Sequence, residues 1–381
     1  MLQKSLRALI LSAIVLCCVY DTGAQSNIKS RFSKSTIYTG IEVGSKGVKM
    51  SVIEIGKNAQ TNGSFHILKD TSFNTDFINF SEPTFQATLK SLHGLYNTAL
   101  KEYKIPAKRI FTVVSSGVRV QAEKDKKMDW VSNLIDSFRL LIKEPNRKVE
   151  VVDPRLEGKL SHLGIVPESR RYNTFLIDIG SGNTKGGFFP YGNTDDFKVF
   201  MLNWGTKSIF NATDKNCGDD KSISTYNRQL FRVLSGAENS EIIYAVNASG
   251  AYPLSDNIAI SGGIAWAAAT LMHPDMLDNS VIPVTYAELA KFCENLYYNP
   301  GLYSATYISR SFRQESREPI ITEISRVHQV FDQKSLMAGA GFLLKIMRQF
   351  ESAFAGKQFY LVKNGQVGWV SAYVDQNVEK D

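Results

Sequence analysis

Ile177-Asp178-Ile179-Gly180-Ser181-Gly182-Asn183-Thr184-Lys185 is the stretch that decides how this chain is read. Residues 175–179 are apolar apart from Asp178, the pattern of a buried strand. Gly180-Ser181-Gly182 forces a tight turn, and residues 185–189 begin a second strand. Strand–turn–strand with glycines and small hydroxyl or amide side chains lets backbone N–H groups face a phosphate. Asp178, at the end of the first strand, is placed to hold a metal or a water.

The same grammar occurs upstream. Residues 35–55 read as a hairpin, with Glu42 before the turn Gly44-Ser45-Lys46-Gly47. An acid, a glycine–serine turn and a following lysine therefore appear twice, about 135 residues apart, which points to an internal duplication with one copy per domain. Between the two, residues 81–103 form an apolar-striped helix with Ser81 as its cap and Pro83 in its first turn. Residues 110–115 are a strand running into Ser116-Gly117-Val118-Arg119, where Arg119 is either an anion clamp or a surface ion pair. Residues 128–142 are a helix, 149–152 a strand, and Pro154 opens a short helix bearing Glu157 in its first turn. This alternation of strand and helix argues an α/β fold.

Past the opening stretch, residues 197–203 supply a third strand. Trp204-Gly205-Thr206-Lys207 turns into a helix whose N-terminus could face the same anion. Residues 222–248 are helical in two pieces, with a break near Gly236. A strand at 258–260 enters Ser261-Gly262-Gly263 and an alanine-rich helix, a further backbone N–H pocket. Helices follow at 285–296, 318–331 and 332–354, and residues 358–373 read as a hairpin about Asn364-Gly365. The expected organisation is a signal segment 1–24, domain I at 36–165, domain II at 172–355, and a C-terminal hairpin and tail at 356–381.

Composition bounds the function. The chain has 381 residues, 43% hydrophobic and 21% charged, ordinary for a globular protein. Lys4 and Arg7 precede an apolar run and then Thr22-Gly23-Ala24, the layout of a secretory signal peptide cut after Ala24. That leaves 381 − 24 = 357 residues, exported to a periplasmic or extracellular space. Of the four cysteines only Cys217 and Cys293 lie beyond the cut; a disulfide between them is possible, and neither has metal-ligand spacing. The net charge of +7 favours polyanionic partners by steering, although solubility accounts for it as well. No nucleic-acid motif is present, and a homodimer is allowed.

The ordered motifs resemble the actin-like superfamily and, within it, the exopolyphosphatase and guanosine pentaphosphate phosphohydrolase family, over most of residues 36–350. That family opens with D-x-G-S-N-S, where this chain has Glu42-Val43-Gly44-Ser45-Lys46-Gly47. Its T-S-A-x-R step is similar to Ser115-Ser116-Gly117-Val118-Arg119. Its G-x-E-E-A-R-L helix is similar to Arg155-Leu156-Glu157-Gly158-Lys159-Leu160, and its D-I-G-G-G-S-T-E to residues 178–185. Its P-L-G-x-V-R step and late G-G-T segment are similar to residues 203–207 and 261–264. The resemblance implies two actin-like (ribonuclease H-like) domains, with mixed sheets flanked by helices and an interdomain cleft. It implies metal-assisted attack of water on a terminal phosphate of polyphosphate or a related polyanion, with Mg2+ or Mn2+ as cofactor.

Carried onto this chain, the resemblance makes Glu157 the base and Arg119 a phosphate clamp. Asp178 and Glu42 become metal ligands. Gly44, Ser45, Lys46, Gly180, Ser181, Gly182, Asn183, Thr184, Lys185, Gly205, Gly262 and Gly263 contact phosphate. Three departures matter. Glu42 stands for an aspartate, Leu156 for the first of two glutamates, and Lys185 reverses the charge of the glutamate that ends D-I-G-G-G-S-T-E. Lys185 either supplies a phosphate-binding cation in place of some of the metal's charge or marks a relative that binds without hydrolysing. The readings are thus an exported exopolyphosphatase-like hydrolase, or an impaired actin-like binding or scaffold protein. An ATP-dependent kinase conflicts with the signal segment.

Overall fold

The two glycine hairpins each found a mixed sheet. In the computed structural model, which describes residues 35–56, 65–251, 255–353, 356–363, 365 and 368–378, strands β1 (Ser35–Val43) and β2 (Gly47–Gly56) pair antiparallel from Ser35 opposite Gly56 to Val43 opposite Val48. The expected signal segment, 1–24, lies outside the described residues. A third strand, β3 (Phe65–Asn74), adds antiparallel to β2. The sequence reading had no strand there, because a register shift opposite Val52 and Ile53 breaks the period-two pattern. Strands β4 (Ile110–Val114) and β5 (Val149–Val151) extend the sheet in parallel on the other side of β1, giving the order β3-β2-β1-β4-β5.

Helices α1 (Glu82–Asn97), α2 (Ser116–Lys124), α3 (Met128–Ile142) and α4 (Pro154–Ile165) accompany this sheet. The cap of α1 is the expected Ser81, whose N–H donates to Thr84 Oγ1 at 3.2 Å. Asp153 caps α4, its Oδ1 accepting from the Leu156 N–H at 2.8 Å. That cap and Pro154 together fix where Glu157 enters the helix.

The second sheet repeats the first. Strands β6 (Thr174–Ile179), β7 (Thr184–Phe188) and β8 (Lys198–Leu202) form an antiparallel meander, and β9 (Asn257–Gly262) lies parallel to β6. Helices α5 (Thr206–Asn216), α6 (Ile223–Ala237) and α7 (Ile243–Ala248) precede β9. The expected interruption near Gly236 is a π turn, Glu238–Ile242, between α6 and α7. Helix α8 (Gly263–Met272) follows β9, then an edge strand β10 (Val281–Val284), where Pro283 costs no inner ladder bond. Helices α9 (Tyr286–Tyr298), α10 (Ala305–Ser309), α11 (Gln314–Val330) and α12 (Gln333–Ala353) complete the flanks. No described helix is long and apolar enough to cross a membrane. Cys217 and Cys293 are both free thiols, not a disulfide.

The C-terminal hairpin does not form. Strand β11 (Gln358–Val362) inserts between β10 and β9, parallel to β9, and is followed by a helix, α13 (Gly368–Asn377). The sheet order becomes β10-β11-β9-β6-β7-β8, which matches the first sheet with β11 in the place of β5 and β10 added. Helix α13 leaves the second sheet and packs against α4 and β1. Leu160 and Leu163 of α4, Trp369, Val370 and Tyr373 of α13, Ile53 and Val113 of the first sheet, and Phe189 and Phe197 beside the second share one core. The two helices are therefore the layer that joins the sheets.

Two glycines permit that joint. A Cβ on Gly164 of α4 would fall 1.9 Å from the Gly368 carbonyl oxygen. Gly164→Ala is expected to destabilise the protein by about 1–3 kcal/mol through overpacking. Gly94→Ala, where nothing lies within 4 Å of the added methyl, should stabilise by about 0.5–1 kcal/mol through helix propensity. Urea unfolding of both variants checks the pair. Equal effects would contradict the helix–helix contact.

Candidate functional site

The duplicated turns meet across a cleft of about 230 Å3. Gly44, Ser45 and Lys46 line it from the first sheet, and Gly180, Ser181, Gly182 and Asn183 from the second. Gly117 sits where they converge: a Cβ there would lie 2.7 Å from Ser45 Oγ and 3.6 Å from Asn183 Oδ1. Each turn closes on itself, the Gly44 N–H donating to the Gly47 carbonyl at 2.8 Å and the Gly180 N–H to the Asn183 carbonyl at 3.0 Å. Among the described residues, no intramolecular acceptor takes the backbone N–H of Ser45, Ser181 or Gly182. Gly262 and Gly263 form the cleft's back wall. Gly262 has φ +103, and a Cβ would fall 2.1 Å from the Ile179 carbonyl oxygen, so this strand end reaches its neighbour only as glycine.

At the floor lies a buried charge cluster. Lys185 on β7 places Nζ 2.8 Å from Glu157 Oε1 and 3.4 Å from Asp178 Oδ2. Glu157 Oε2 accepts the backbone N–H of Ser116, the first residue of α2, at 2.6 Å. Asp178 Oδ1 accepts the Ser261 hydroxyl at 2.9 Å. All four carboxylate oxygens are thus engaged. Glu42 shares the cavity, its cross-strand neighbour being Lys49. Burial pushes the Glu42 carboxyl up to about 7; Glu157 and Asp178 add to the rise, against the pull of Lys49 and Lys185. Burial disfavours the Lys185 ammonium, but Glu157, Asp178 and Glu42 overcome it, and its pKa is raised.

This arrangement does not fit the expected Mg2+ or Mn2+. The position between Glu157 and Asp178 holds an ammonium, whose charge already neutralises them and whose protons take the oxygens a cation would need. No three His, Cys, Asp or Glu side chains converge as a metal site among the described residues. Asp178, expected as a metal ligand, is instead engaged by that ammonium and by the Ser261 hydroxyl, while Glu42, expected beside it, lines the same cleft.

Three other expected residues do not line the cleft. Arg119 turns outward on α2 and donates from Nε to Glu123 Oε1 at 2.8 Å, an i,i+4 surface pair of small energetic weight. Gly205 lies under the turn, where a Cβ would fall 2.5 Å from the Gly180 carbonyl oxygen. The α5 N-terminus that follows is not open to an anion: the N–H groups of Thr206, Lys207 and Ser208 donate to the carbonyls of Gly180 and Ser181. Thr184 is buried, its hydroxyl donating to the Trp204 carbonyl at 2.8 Å. Both Gly205 and Thr184 support the phosphate loop from behind.

The sequence reading passed over several lining residues. Asn74 comes from the unrecognised β3, Trp369 from the unrecognised α13, and Lys49, Trp266, Arg326 and Phe331 from expected elements whose faces only tertiary contacts reveal. Ser116 was visible as a residue but not as the donor to Glu157.

Replacing the central cation tests the cluster. Lys185→Met should cost about 3–5 kcal/mol at neutral pH, because two buried carboxylates lose their counter-charge. Urea unfolding at neutral pH reads the loss. A variant as stable as the parent would remove the cluster from any structural role.

Comparison with known proteins adds the fold. No sequence-family profile and no curated relative matches the chain. Among solved structures, a Ppx/GppA family member from Aquifex aeolicus is similar at 17% identity and a TM-score of 0.60, covering 91% of this chain and 100% of that one. A type II variant of the Aquifex aeolicus Ppx/GppA phosphatase is similar at 18% identity and 0.59, over 90% and 100%. An exopolyphosphatase from Cytophaga hutchinsonii is similar at 14% identity and 0.53, over 90% and 98%. The chain shares the mixed α/β fold of these Ppx/GppA structures, with a lysine buried at the floor of its cleft.

Proposed function

We propose that this protein binds the phosphoanhydride chain of polyphosphate, or of a related phosphorylated polyanion, and that metal-assisted hydrolysis is lost. The observation that carries the reading is the Lys185 ammonium held between Glu157 and Asp178. Within it, the unengaged amides of Ser45, Ser181 and Gly182 cradle phosphate oxygens. Lys46 and Lys49 supply positive charge beside the phosphate, while the Lys185 charge offsets the carboxylates at the floor. Each Glu157 oxygen already takes one donor, Lys185 or the Ser116 N–H, which leaves fewer lone pairs for a water. Support for a phosphoanhydride ligand, over other anions, comes from the likeness to phosphatases of this fold.

One observation favours a second reading, slow hydrolysis without a metal. Glu42 lines the same cleft with its carboxyl raised to about 7, near the value that suits a general base at neutral pH. Export through residues 1–24 is part of the proposal, and the mature chain would then begin at Gln25, which N-terminal sequencing of the secreted protein reads directly.

A single set of assays separates the readings. Polyphosphate should bind equally well with and without EDTA, and added Mg2+ or Mn2+ should not stimulate orthophosphate release. The second reading requires release in EDTA that climbs as the pH rises through about 7, since the base must lose its proton, and that disappears in Glu42→Gln. Metal-stimulated release abolished by Glu157→Gln would overturn both and restore the full hydrolase.

A further inference from the structure

An open sheet edge offers unpaired N–H and C=O groups to any other strand. The edges here are β3 and β5 in the first sheet, β10 and β8 in the second. Three of them carry a feature that discourages pairing. β3 has the register shift opposite Val52 and Ile53 and puts Lys69 and Asp70 mid-strand. β5 is 3 residues long, and β10 contains Pro283. β8 has none of these. Lys198-Val199-Phe200-Met201-Leu202 pairs with β7 in unbroken register, and no charged residue follows Lys198 within it. Among the described residues, no strand lies on its outer side.

Both faces of this edge are apolar. Phe200 and Leu202 point into the core of the second sheet, among Ile242 and Val246. Val199 and Met201 point the other way, to the side where Lys185, opposite Met201, meets Glu157 of α4. That helix leaves them 39% and 40% exposed. On the core side the edge is flanked by α7, whose Ile243 and Tyr244 are 37% and 75% exposed. The charges sit at the two ends. Lys198 begins the strand, and just past its end Glu241 Oε1 accepts the Asn203 N–H at 2.6 Å.

We infer that β8 pairs antiparallel with β8 of a second copy of this chain, about a two-fold axis at Phe200, and so joins two six-stranded sheets into one. Directly opposed residues of an antiparallel pair share a face and touch. In this register Val199 faces the partner's Met201, and Met201 the partner's Val199, so the exposed apolar side chains cover one another. Lys198 alternates onto the face of Phe200, the side of α7, and falls opposite the partner's Leu202. That is one residue from the backbone N–H that the partner's Glu241 holds. The two-fold repeats every contact, so a lysine meets a glutamate at each end. The charge placement selects a second copy: the edge is complementary to itself when antiparallel, whereas a parallel pairing in register would set lysine beside lysine.

Light scattering after size exclusion of the full-length protein reads the oligomeric state. The parent should be a dimer that dissociates on dilution. Met201→Arg should give a monomer whose urea midpoint stays near the parent's, since that side chain is already 40% exposed. Val281→Arg, on the proline-bearing edge β10, should leave the dimer intact. Lys198→Glu and Glu241→Lys should each weaken the dimer about tenfold or more, because like charges then meet at both ends. An equimolar mixture of those two variants should recover it, since the mixed pair has opposite charges at both ends. A monomeric parent overturns the proposal. So does a dimer indifferent to Met201→Arg, which would lie on another face. Charge variants that stay dissociated when mixed overturn the antiparallel register.

Discussion

The ammonium of Lys185 holds together groups that the backbone brings from separate places. Glu157 rides on α4, the helix between the two sheets, and Asp178 stands at the end of β6. Through Glu157 the cluster also reaches the start of α2, and through Asp178 it reaches Ser261 on β9. A buried carboxylate without a partner costs several kcal/mol, so these elements can converge only because a cation sits among them. Burial gives the interaction a low-dielectric setting in which direction matters: three donors on a flexible stem can serve two carboxylates at once. The glycine turns are aimed by the same geometry, since β6 and β7 are the strands that both flank the second turn and carry two of the three charges.

A built-in cation changes what a cleft of this fold can do. An ammonium offers charge and hydrogen bonds, but it cannot lower the pKa of a bound water as a divalent metal does. It also cannot be removed by a chelator. If the cleft binds an anion as proposed, that binding should depend on ionic strength and on the protonation of Glu42 rather than on metal supply. Glu42 lines the same cavity, and its raised pKa comes first from burial, with Glu157 and Asp178 adding to it against the pull of Lys49 and Lys185.

Much of this was legible in the chain because it is local. A glycine pair, an acid two residues before it and an apolar strand on each side carry the hairpins, and both sheets grow from them. The capped starts of α1 and α4 are equally local. What escaped is set by contacts between distant residues. Residues 368–374, Gly-Trp-Val-Ser-Ala-Tyr-Val, are β-branched and aromatic and suit a strand by propensity, yet all seven are buried in α13 because α4 and β1 offer a slot for a helix. Strand β3 was hidden by its register shift. Arg119 had a visible local partner in Glu123, four residues on, and that pairing won over the anion it was expected to clamp. The reversed charge at 185 was readable, but its pairing with Glu157 needed the helix and the strand to be in place.

The C-terminal segment carries a consequence for how the molecule comes into being. Residues 358–362 are an inner strand of the second sheet, and residues 368–377 complete the core under the first. Residues 358–377 must therefore be made before the second sheet can close and before α4 is covered, although the first sheet needs no strand past Val151. Until then a nascent chain would expose the edge of β9 and the apolar face of α4, with pairings of high sequence separation that form slowly. Closing of the layer that joins the sheets becomes a late event in synthesis.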